Sequence, residues 1–319
     1  MSVWLIGAGP MAGLHAEVLA ALGTSVTIIA TSPIRAAPLA QKHGMAQFTQ
    51  GLTQALAVLP RPDAAVIALP VDLLAQAALQ LAQAGVPRIL IEKPGALRAV
   101  ELDPVREAAA ASGAQVFIAY NRRFFASVQE ARRRIAGADS VLSVCFEFCE
   151  DADRIAALPT PAAIKQNWAL ANSSHVIDLA FHLCGAPADW HHQVSGSLPW
   201  HSSAADFRGI GRTQTGANFS YFADWRGPGR WGIEIILPQE RLILRPMEAL
   251  SVMPRGSFTA QPVALDDTID KQFKPGLYAQ MVAFLAESIP AELVRLDAQI
   301  AAMRDIYNPI ANYTEEAGR

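Results

Sequence analysis

The chain has 319 residues, of which 51% are hydrophobic and 17% charged, and this balance excludes an intrinsically disordered protein. The formal net charge of −3 gives no electrostatic reason to expect nucleic acid or an anionic membrane surface as a partner. The length suffices for two domains, each with its own hydrophobic core.

A short apolar strand runs into a glycine-rich turn at the start of the sequence. The strand Val3–Ile6 is followed by a Gly-x-Gly-x-x-Ala pattern and then by a helical pattern over Met11–Leu22. In such a turn Gly7 permits a sharp bend, Gly9 lets a phosphate approach the backbone, and Ala12 lets helix and strand pack closely. We therefore expect this turn to bind the pyrophosphate of a dinucleotide through Gly7, Gly9, Pro10, Met11 and Ala12.

Strands and helices alternate through the rest of the first 120 residues. We predict strands at Ser25–Ala30, Ala64–Leu69, Arg88–Glu92 and Gln115–Ala119, and helices at Pro33–His43, Leu52–Leu59, Leu73–Ala84 and Val100–Ala111. Because such units are joined by right-handed crossovers, the pattern predicts an α/β Rossmann domain with a parallel, doubly wound sheet over residues 1–120. Ligands of these sheets bind at the carboxyl ends of the strands.

The end of the second strand bears on the choice of dinucleotide. An acidic residue there normally binds the ribose hydroxyls of NAD. This chain has Thr31 and Ser32, with Arg35 shortly after, and no acid. Hydroxyls and a guanidinium suit a 2′-phosphate, so we favour NADP; NAD is the alternative if Arg35 points to solvent. Leu69 and Pro70, at another strand end, are also expected to contact the cofactor.

The pattern changes after Arg123 and predicts a second domain over residues 121–319. We expect helices at Phe124–Ile135 and His175–Cys184, a loop over 151–170, strands at Val141–Glu150, Gly216–Trp225, Arg230–Leu237 and Arg241–Pro246, and closing helices at Leu277–Ser288 and Val294–Ile306. Strands without intervening helices predict an α+β domain with an open, antiparallel or mixed sheet. Whether the closing helices pack back on the first domain stays open.

Cysteine usage and hydropathy indicate a compartment. The three cysteines, Cys145, Cys149 and Cys184, are odd in number and predict buried free thiols in a reducing environment. No charged stretch precedes the first apolar run, and no apolar stretch reaches the roughly 20 residues of a membrane span. We expect a cytoplasmic protein.

Three further segments carry candidate chemistry. Glu92-Lys93-Pro94 ends one strand, Tyr120-Asn121-Arg122-Arg123 ends the last strand of the first domain, and His175-x-x-Asp178-Leu179 opens a short helix. Together with the glycine-rich turn, this order resembles the family of glucose–fructose oxidoreductase and inositol dehydrogenase, Gfo/Idh/MocA, over nearly the whole chain.

The resemblance implies hydride transfer between NAD(P) and a hydroxyl or carbonyl carbon of a sugar, cyclitol or sugar derivative bound between the domains. It implies that Lys93 hydrogen-bonds the reacting oxygen and often the cofactor ribose, and that His175 is the acid/base. Glu92 and Pro94 flank Lys93 and are assigned to the cofactor site with it. Dimers or tetramers through the open sheet face are also implied. Many members have an Asp where this chain has Ala171.

The residue chemistry supports these roles independently. Oxidation of a carbinol needs a group that accepts the hydroxyl proton, and histidine titrates near the working pH. An ammonium such as that of Lys93 stabilises developing alkoxide charge. Asp178 shares a helix face with His175. It orients His175 or a substrate hydroxyl, or it only satisfies buried backbone groups. His182, on the same face, is interpreted as structural. A metal site formed by His175, Asp178 and His182 is not favoured, because the sequence offers no candidate for a fourth ligand.

Softer candidates for substrate contact lie at a strand end and before the short helix. The first group is Tyr120, Asn121 and Arg123, and the second is Lys165, Trp168 and Asn172. Trp168 suits a sugar face and equally a core position. Asn172 or Ser173 is expected to be the N-cap of the helix.

Two other functions stay open on the sequence alone. One is a glycosidase or epimerase that oxidises its substrate transiently with tightly bound NAD; a cofactor that co-purifies and is not consumed would indicate it. The other is a non-catalytic, dinucleotide-binding regulatory protein. Good dinucleotide binding without turnover of any sugar would indicate that case.

Overall fold

The computed structural model describes residues 1–314. The strands are β1 (Ser2–Ile6), β2 (Ser25–Ile29), β3 (Ala46–Phe48), β4 (Ala64–Ile67), β5 (Arg88–Glu92), β6 (Gln115–Ala119), β7 (Ser143–Glu147), β8 (Pro187–Ser195), β9 (Asp206–Thr213), β10 (Asn218–Asp224), β11 (Gly232–Ile236), β12 (Glu240–Leu244), β13 (Ser251–Pro254), β14 (Gln261–Pro262) and β15 (Val294–Arg295). The helices are α1 (Pro10–Ala21), α2 (Pro33–His43), α3 (Leu52–Val58), α4 (Val71–Gln83), α5 (Asp103–Ser112), α6 (Ala126–Ala136), α7 (Ala152–Ala157), α8 (Ala162–Gln166), α9 (Ser174–Cys184), α10 (Thr268–Gln272), α11 (Leu277–Leu285), α12 (Leu296–Ala302) and α13 (Asn308–Ala311).

The chain divides into two compact units. The first contains Met1–Asn121 and Asp270–Ala301, and the second contains Arg122–Ile269 and the described residues from Ala302 onward. The segment with α11 and β15 therefore belongs to the same unit as the amino-terminal sheet, and the division between the units falls within α10.

The first unit is built on a seven-stranded sheet in the order β15-β6-β5-β4-β1-β2-β3. Strands β1 to β6 pair in parallel, and β15 pairs antiparallel with β6 at the edge. Strands β2 and β3 lie on one side of β1, and β4, β5 and β6 lie on the other side. The strand order reverses beside β1, which is where doubly wound sheets bind ligands. The predicted Rossmann architecture is confirmed.

Apolar strands form the core of this unit. Leu5, Ile28, Ile67, Leu90 and Ile118 lie on five successive parallel strands, and each is fully buried. Nearly continuous apolar strands of this kind are typical of parallel sheets that are covered by helices on their faces.

The second unit contains an eight-stranded sheet in the order β14-β13-β12-β11-β7-β10-β9-β8. Only β7 and β10 pair in parallel within this described sheet, so the predicted mixed sheet of an α+β domain is confirmed. Helix α9 packs on the sheet, where Phe181 makes edge contacts with Phe146 and Phe219 at ring-centroid distances of 5.4 and 5.2 Å. The alternate residues Ile210 and Phe222 are exposed and lie on the other face.

Several local predictions are wrong. The predicted helix over Val294–Ile306 begins with the two-residue strand β15, because backbone pairing with β6 outweighs the local helical pattern. The predicted loop over 151–170 contains α7 and α8, and α7 is capped by the Asp151 carboxylate, which accepts from the Arg154 N–H. Strand β3 was not predicted. Cys145 is exposed, because it points away from the packed face of β7.

No helix within residues 1–314 combines the length and the apolar character that crossing a membrane requires.

Candidate active site

A cavity of about 810 Å³ lies at the carboxyl ends of β1, β2 and β4 in the first unit. The predicted cofactor residues that line it are Gly7, Gly9, Pro10, Met11, Thr31, Ser32, Arg35, Leu69 and Pro70. Ala12 is fully buried and does not line it, and neither do Glu92, Lys93 and Pro94. Gly51, which precedes α3, and Thr53, on the first turn of α3, also line the cavity and were not predicted to do so.

Two glycines shape the phosphate end of this cavity. Gly7 has φ +116°, and a Cβ there would overlap the carbonyl oxygen of Ala68, so only glycine fits without strain. A Cβ at Gly9 would meet no protein atom within 4 Å and would instead fill the open cradle. Helix α1 follows with no side-chain cap, so the N–H groups of its first turn remain available to an anion. The cradle therefore fits a dinucleotide pyrophosphate.

The described lining of the cavity carries a positive charge and no negative charge. Among the described residues that line it, Arg35 is charged and none is acidic. Thr31 and Ser32 add hydroxyl groups at the end of β2, and Arg35 is exposed on the first turn of α2. The described lining therefore has no carboxylate that would repel a phosphate group bound near Arg35.

The turn that carries Lys93 is held from two sides. On one side His15, fully buried on α1, contacts Glu92 with 2.8 Å between Nε2 and Oε1. On the other side Gln299 of α12 donates from Nε2 to the carbonyl oxygen of Pro94 at 2.8 Å. Lys93 itself is half-buried. The turn is thus fixed to the helix that begins at the phosphate cradle.

Tyr120 and Asn121, which were predicted to contact substrate, form contacts within the first unit. Tyr120 is buried, and its hydroxyl lies 3.3 Å from Nε2 of Gln299. Asn121 is buried as well and donates from Nδ2 to the carbonyl oxygen of Pro275 at 2.8 Å. Sequence reasoning missed Gln299, because nothing near position 299 signals a contact with a turn about 200 residues earlier.

In the second unit, α9 carries His175 and Asp178, both of them buried. The helix continues a π-helical turn over Ala169–Ser173, and Ser173 occupies the predicted N-cap position without a side-chain capping hydrogen bond. Both oxygens of Asp178 accept hydrogen bonds from Arg123, with Nε–Oδ2 at 2.8 Å and Nη2–Oδ1 at 2.6 Å. Their side chains are only 5% and 15% exposed, so this is a buried bidentate ion pair.

An aromatic and cationic group adjoins His175. The ring of His175 lies 6.4 Å from the ring of Trp231, measured between centroids. The guanidinium carbon of Arg122 lies 5.0 Å from the same Trp231 ring, in cation–π geometry. Burial lowers the pKa of Arg122 to about 10, although Glu248 and Glu150 oppose the shift, so Arg122 is charged at neutral pH. The sequence alone gave no reason to pair Arg122 with Trp231.

Glu150, which the sequence analysis did not single out, contacts the turn that precedes α9. Glu150 follows the end of β7, and its Oε1 accepts hydrogen bonds from Asn172 Nδ2 at 2.9 Å and Ser173 Oγ at 2.7 Å. Burial raises the pKa of Glu150, and the hydrogen bonds from Ser173 and Asn172 oppose that shift. The predicted substrate residue Asn172 is therefore engaged with Glu150.

The remaining predicted residues are Lys165, Trp168 and His182. Lys165 donates from Nζ to the carbonyl oxygen of Ala156 at 2.7 Å. Trp168 packs edge-on against Trp200, with 6.3 Å between centroids. Burial lowers the pKa of His182 to about 3, with Arg123 and Arg132 adding to the shift, so His182 is neutral. Among the described residues no group of three His, Cys, Asp or Glu side chains is arranged to hold a metal ion.

The first domain matches a known family. Residues 1–120 match the Gfo/Idh/MocA model, described as an oxidoreductase family with an NAD-binding Rossmann fold. The resemblance inferred from the motifs is confirmed over these residues, which form an NAD-binding domain of the oxidoreductase type. No curated protein matches the chain in sequence.

Solved structures share the fold along the whole chain. UDP-N-acetylglucosamine 3-dehydrogenase GnnA from Acidithiobacillus ferrooxidans is 20% identical, with 98% of each chain covered and a TM-score of 0.74. An oxidoreductase from Agrobacterium radiobacter, in complex with NAD+, L-tartaric acid and magnesium, is 16% identical, with 98% and 96% covered and a TM-score of 0.79. The WlbA dehydrogenase from Bordetella pertussis, with NADH and UDP-GlcNAcA, is 18% identical, with 97% and 96% covered and a TM-score of 0.73. The TM-scores show a shared fold, and at these identities the similarity shows the fold alone.

Proposed function

We propose that this chain, whose first domain matches the Gfo/Idh/MocA oxidoreductases, is an NAD(P)-dependent dehydrogenase of a sugar, cyclitol or sugar derivative. The observation that carries the proposal is the cavity at the switch point of the parallel sheet, with its open cradle at Gly9 and uncapped α1. When bound, the nicotinamide dinucleotide supplies or accepts the hydride. The sugar-linked substrates and ligands of the structurally similar dehydrogenases support the substrate class.

Two side chains carry the proton chemistry in this proposal. His175 takes the proton from the substrate hydroxyl during oxidation and returns it during reduction, as a histidine near neutral pH can do. The Lys93 ammonium hydrogen-bonds the reacting oxygen and stabilises its developing negative charge. The double anchoring of the Lys93 turn, through Glu92 and Pro94, supports this role, because a fixed donor stabilises charge better than a mobile one.

Asp178 and Arg123 are positioning residues in this account. Each oxygen of the Asp178 carboxylate is engaged by Arg123, which ties α9 to the segment after β6. His175 lies one turn earlier on the same helix face, so the ion pair fixes the helix that presents it. Direct contact of Arg123 with substrate remains part of the proposal.

We further propose that NADP is the preferred dinucleotide. Arg35 with Thr31 and Ser32 suits a 2′-phosphate, and the described lining has no acid to bind free ribose hydroxyls. Replacing Arg35 by Ala should raise the Kd for NADPH about 10- to 100-fold and leave that for NADH nearly unchanged. Lys42→Ala, an exposed charge on the same helix outside the cavity, is the matched control. Tighter binding of NADH than NADPH by the wild type would contradict the preference.

The exposed face of the second sheet is the proposed surface for a homodimer or homotetramer. Ile210 is 63% exposed and Phe222 is 42% exposed, on neighbouring strands of that face. Replacing Ile210 by Asp should lower the mass measured by sedimentation. A wild-type chain that sediments as a monomer would contradict this part of the proposal.

Nicotinamide absorbance tests the main proposal. The purified protein is incubated with NADP or NAD and a panel containing myo-inositol, aldoses and UDP-N-acetylglucosamine, and with the reduced dinucleotides and the corresponding keto sugars. We expect one member of the panel to change the absorbance in proportion to enzyme concentration. Tight dinucleotide binding with no net turnover of any member would contradict the proposed function.

A further inference from the structure

Tyr313 joins two distant segments of the second unit. Its hydroxyl oxygen lies 2.7 Å from Nε2 of His201 and 3.1 Å from the backbone nitrogen of Ala169. His201 is fully buried, and its Nδ1 lies 2.7 Å from the carbonyl oxygen of Ala204. The Ser203 hydroxyl is farther away, at 3.4 Å from each ring nitrogen. None of the roles proposed above uses these groups.

The direction of each hydrogen bond follows from the groups that meet. A carbonyl oxygen only accepts, so Nδ1 of His201 carries the proton that it donates to Ala204. Burial lowers the pKa of His201, although the hydrogen bond to Ala204 opposes the shift, so the ring is neutral. Nε2 therefore accepts from the Tyr313 hydroxyl, whose oxygen in turn accepts from the N–H of Ala169. One phenol hydroxyl thus satisfies a buried ring nitrogen and a backbone N–H at the same time.

Ala169 begins the helical segment that presents His175. The π-helical turn Ala169–Ser173 runs directly into α9, and His175 is the second residue of α9. The first N–H groups of a helix have no partner inside it, and π turns within helices are frequent at functional sites. The Tyr313 hydroxyl therefore caps this segment from a position 144 residues away in the sequence.

The backbone at Asn312 sets the position of Tyr313. Asn312 ends α13 with φ 55°, and no other non-glycine residue within 1–314 has a positive φ. Asparagine tolerates this left-handed conformation better than most residues. The N–H of Tyr313 donates to the carbonyl oxygen of Asn308 at 2.9 Å, which fixes the turn. The Tyr313 ring then meets the His201 ring edge-on, with 5.6 Å between centroids.

We propose that Tyr313 is a positioning residue for the dehydrogenase reaction: by capping the N–H of Ala169, it fixes the start of the helical segment that presents His175. This role rests on the proposed function. His175 lies less than two helical turns from Ala169, and helix ends fray when their free N–H groups lack partners. A displacement of about 1 Å at an acid/base is enough to lower the rate about 100-fold.

Kinetics of Tyr313→Phe test this role, because the variant keeps the ring and loses only the hydroxyl. With the sugar that the wild type oxidises, we expect kcat to fall about 10- to 100-fold, with KM for the sugar within about threefold and the Kd for the dinucleotide unchanged. Tyr221→Phe is the matched control, since the Tyr221 hydroxyl is buried in the same unit without a hydrogen-bond partner among the described residues, and it should keep the wild-type kcat. A merely stabilising contact would lower the Tm and leave the kcat of the folded protein unchanged.

The NMR signal of the His175 ring gives a second readout that needs no substrate. Its Cε1–H resonance is assigned by its loss in His175→Gln. We expect Tyr313→Phe to shift this resonance and Tyr221→Phe to leave it in place, because only the first variant releases the helix start. An unmoved His175 resonance in Tyr313→Phe would overturn the positioning role even if kcat falls.

The outcomes separate this role from the proposed function. If the wild type oxidises a sugar and Tyr313→Phe has a kcat within about twofold of that of Tyr221→Phe, the positioning role is overturned and the proposed function stands. If the wild type oxidises no sugar, both are overturned.

If Tyr313→Phe does not fold, two variants of the turn before it decide. Asn312 is exposed, and glycine accepts its positive φ without strain whereas a β-branched residue does not. Asn312→Val should displace Tyr313 and lower kcat at least about threefold relative to Asn312→Gly. Equal kcat values for these two variants overturn the positioning role.

Discussion

The ion pair between Arg123 and Asp178 yields the most quantitative prediction about the second unit. Replacing Arg123 by Met keeps the length of the side chain but leaves the Asp178 carboxylate, which is 5% exposed, without its partner. Removing one member of a buried pair costs about 3–5 kcal/mol, because the remaining charge is uncompensated. Because Arg123 is 15% exposed, we expect the lower end, about 3 kcal/mol, in the free energy of unfolding.

Urea unfolding followed by tryptophan fluorescence measures this loss where it occurs. Five of the six tryptophans lie in the second unit and only Trp4 lies in the first, so the signal reports mainly on the unit that contains the pair. Arg226→Met is the matched control: Arg226 also pairs with a carboxylate in two bonds, but at 52% exposure, and its loss should cost less than about 1 kcal/mol.

The double variant Arg123→Met with Asp178→Leu removes both charges and should recover most of the lost stability. A loss in Arg123→Met no larger than in Arg226→Met, or a double variant as unstable as the single one, would refute the buried-pair reasoning. The double variant also tests the positioning role. If the ion pair positions His175, a folded double variant should have a lowered kcat, whereas a folded double variant that turns over at the wild-type rate would contradict the positioning role.

Three further predictions concern the cradle, the acid stability and the Lys93 turn. Gly9→Ala should change the free energy of unfolding by less than about 1 kcal/mol and still weaken dinucleotide binding in a fluorescence titration, whereas Gly7→Ala should destabilise by more than that. The pKa of His182 is about 3 in the folded protein against 6.5 for the ordinary group, so the unfolded chain binds the extra proton between these values. Stability should therefore fall as pH decreases from 6.5 toward 3, by up to about 1.4 kcal/mol per unit from this group, and His182→Leu should show a shallower acid slope in urea unfolding. Gln299→Leu should lower kcat about 10- to 100-fold in steady-state assays with the Kd for the dinucleotide unchanged, because Pro94 loses the donor that fixes the turn; an unchanged kcat would contradict the positioning argument.

The alternation of strands and helices made the first unit predictable. The strands that were predicted are buried apolar runs, and β1, β4 and β5 are followed within three residues by glycine or proline, so these signals are local. Strand β3 was missed because it has three residues, none of them buried. Strand β15 was missed because its two residues are ordered by pairing with β6, a partner about 175 residues earlier in the chain.

Motifs located the candidate chemistry but not the contacts that support it. Lys93, His175 and the glycine turn were accessible from the sequence, since each depends on a short local pattern. The contacts of Gln299 with Pro94, and of Glu150 with Ser173, join residues far apart in sequence and are created by tertiary packing. The same reason explains why Asp178 could not be assigned to Arg123 from helix spacing alone.

In the proposed dehydrogenase reaction, Lys93 stabilises charge at the reacting oxygen. The most direct measurement is turnover by Lys93→Met, with the sugar that the wild type oxidises, alongside a titration of dinucleotide binding. The account predicts that kcat falls at least about 100-fold while the Kd for the dinucleotide changes little, because Lys93 lies outside the lining of the cavity at Gly9. A folded Lys93→Met variant that turns over at the wild-type rate would contradict the account.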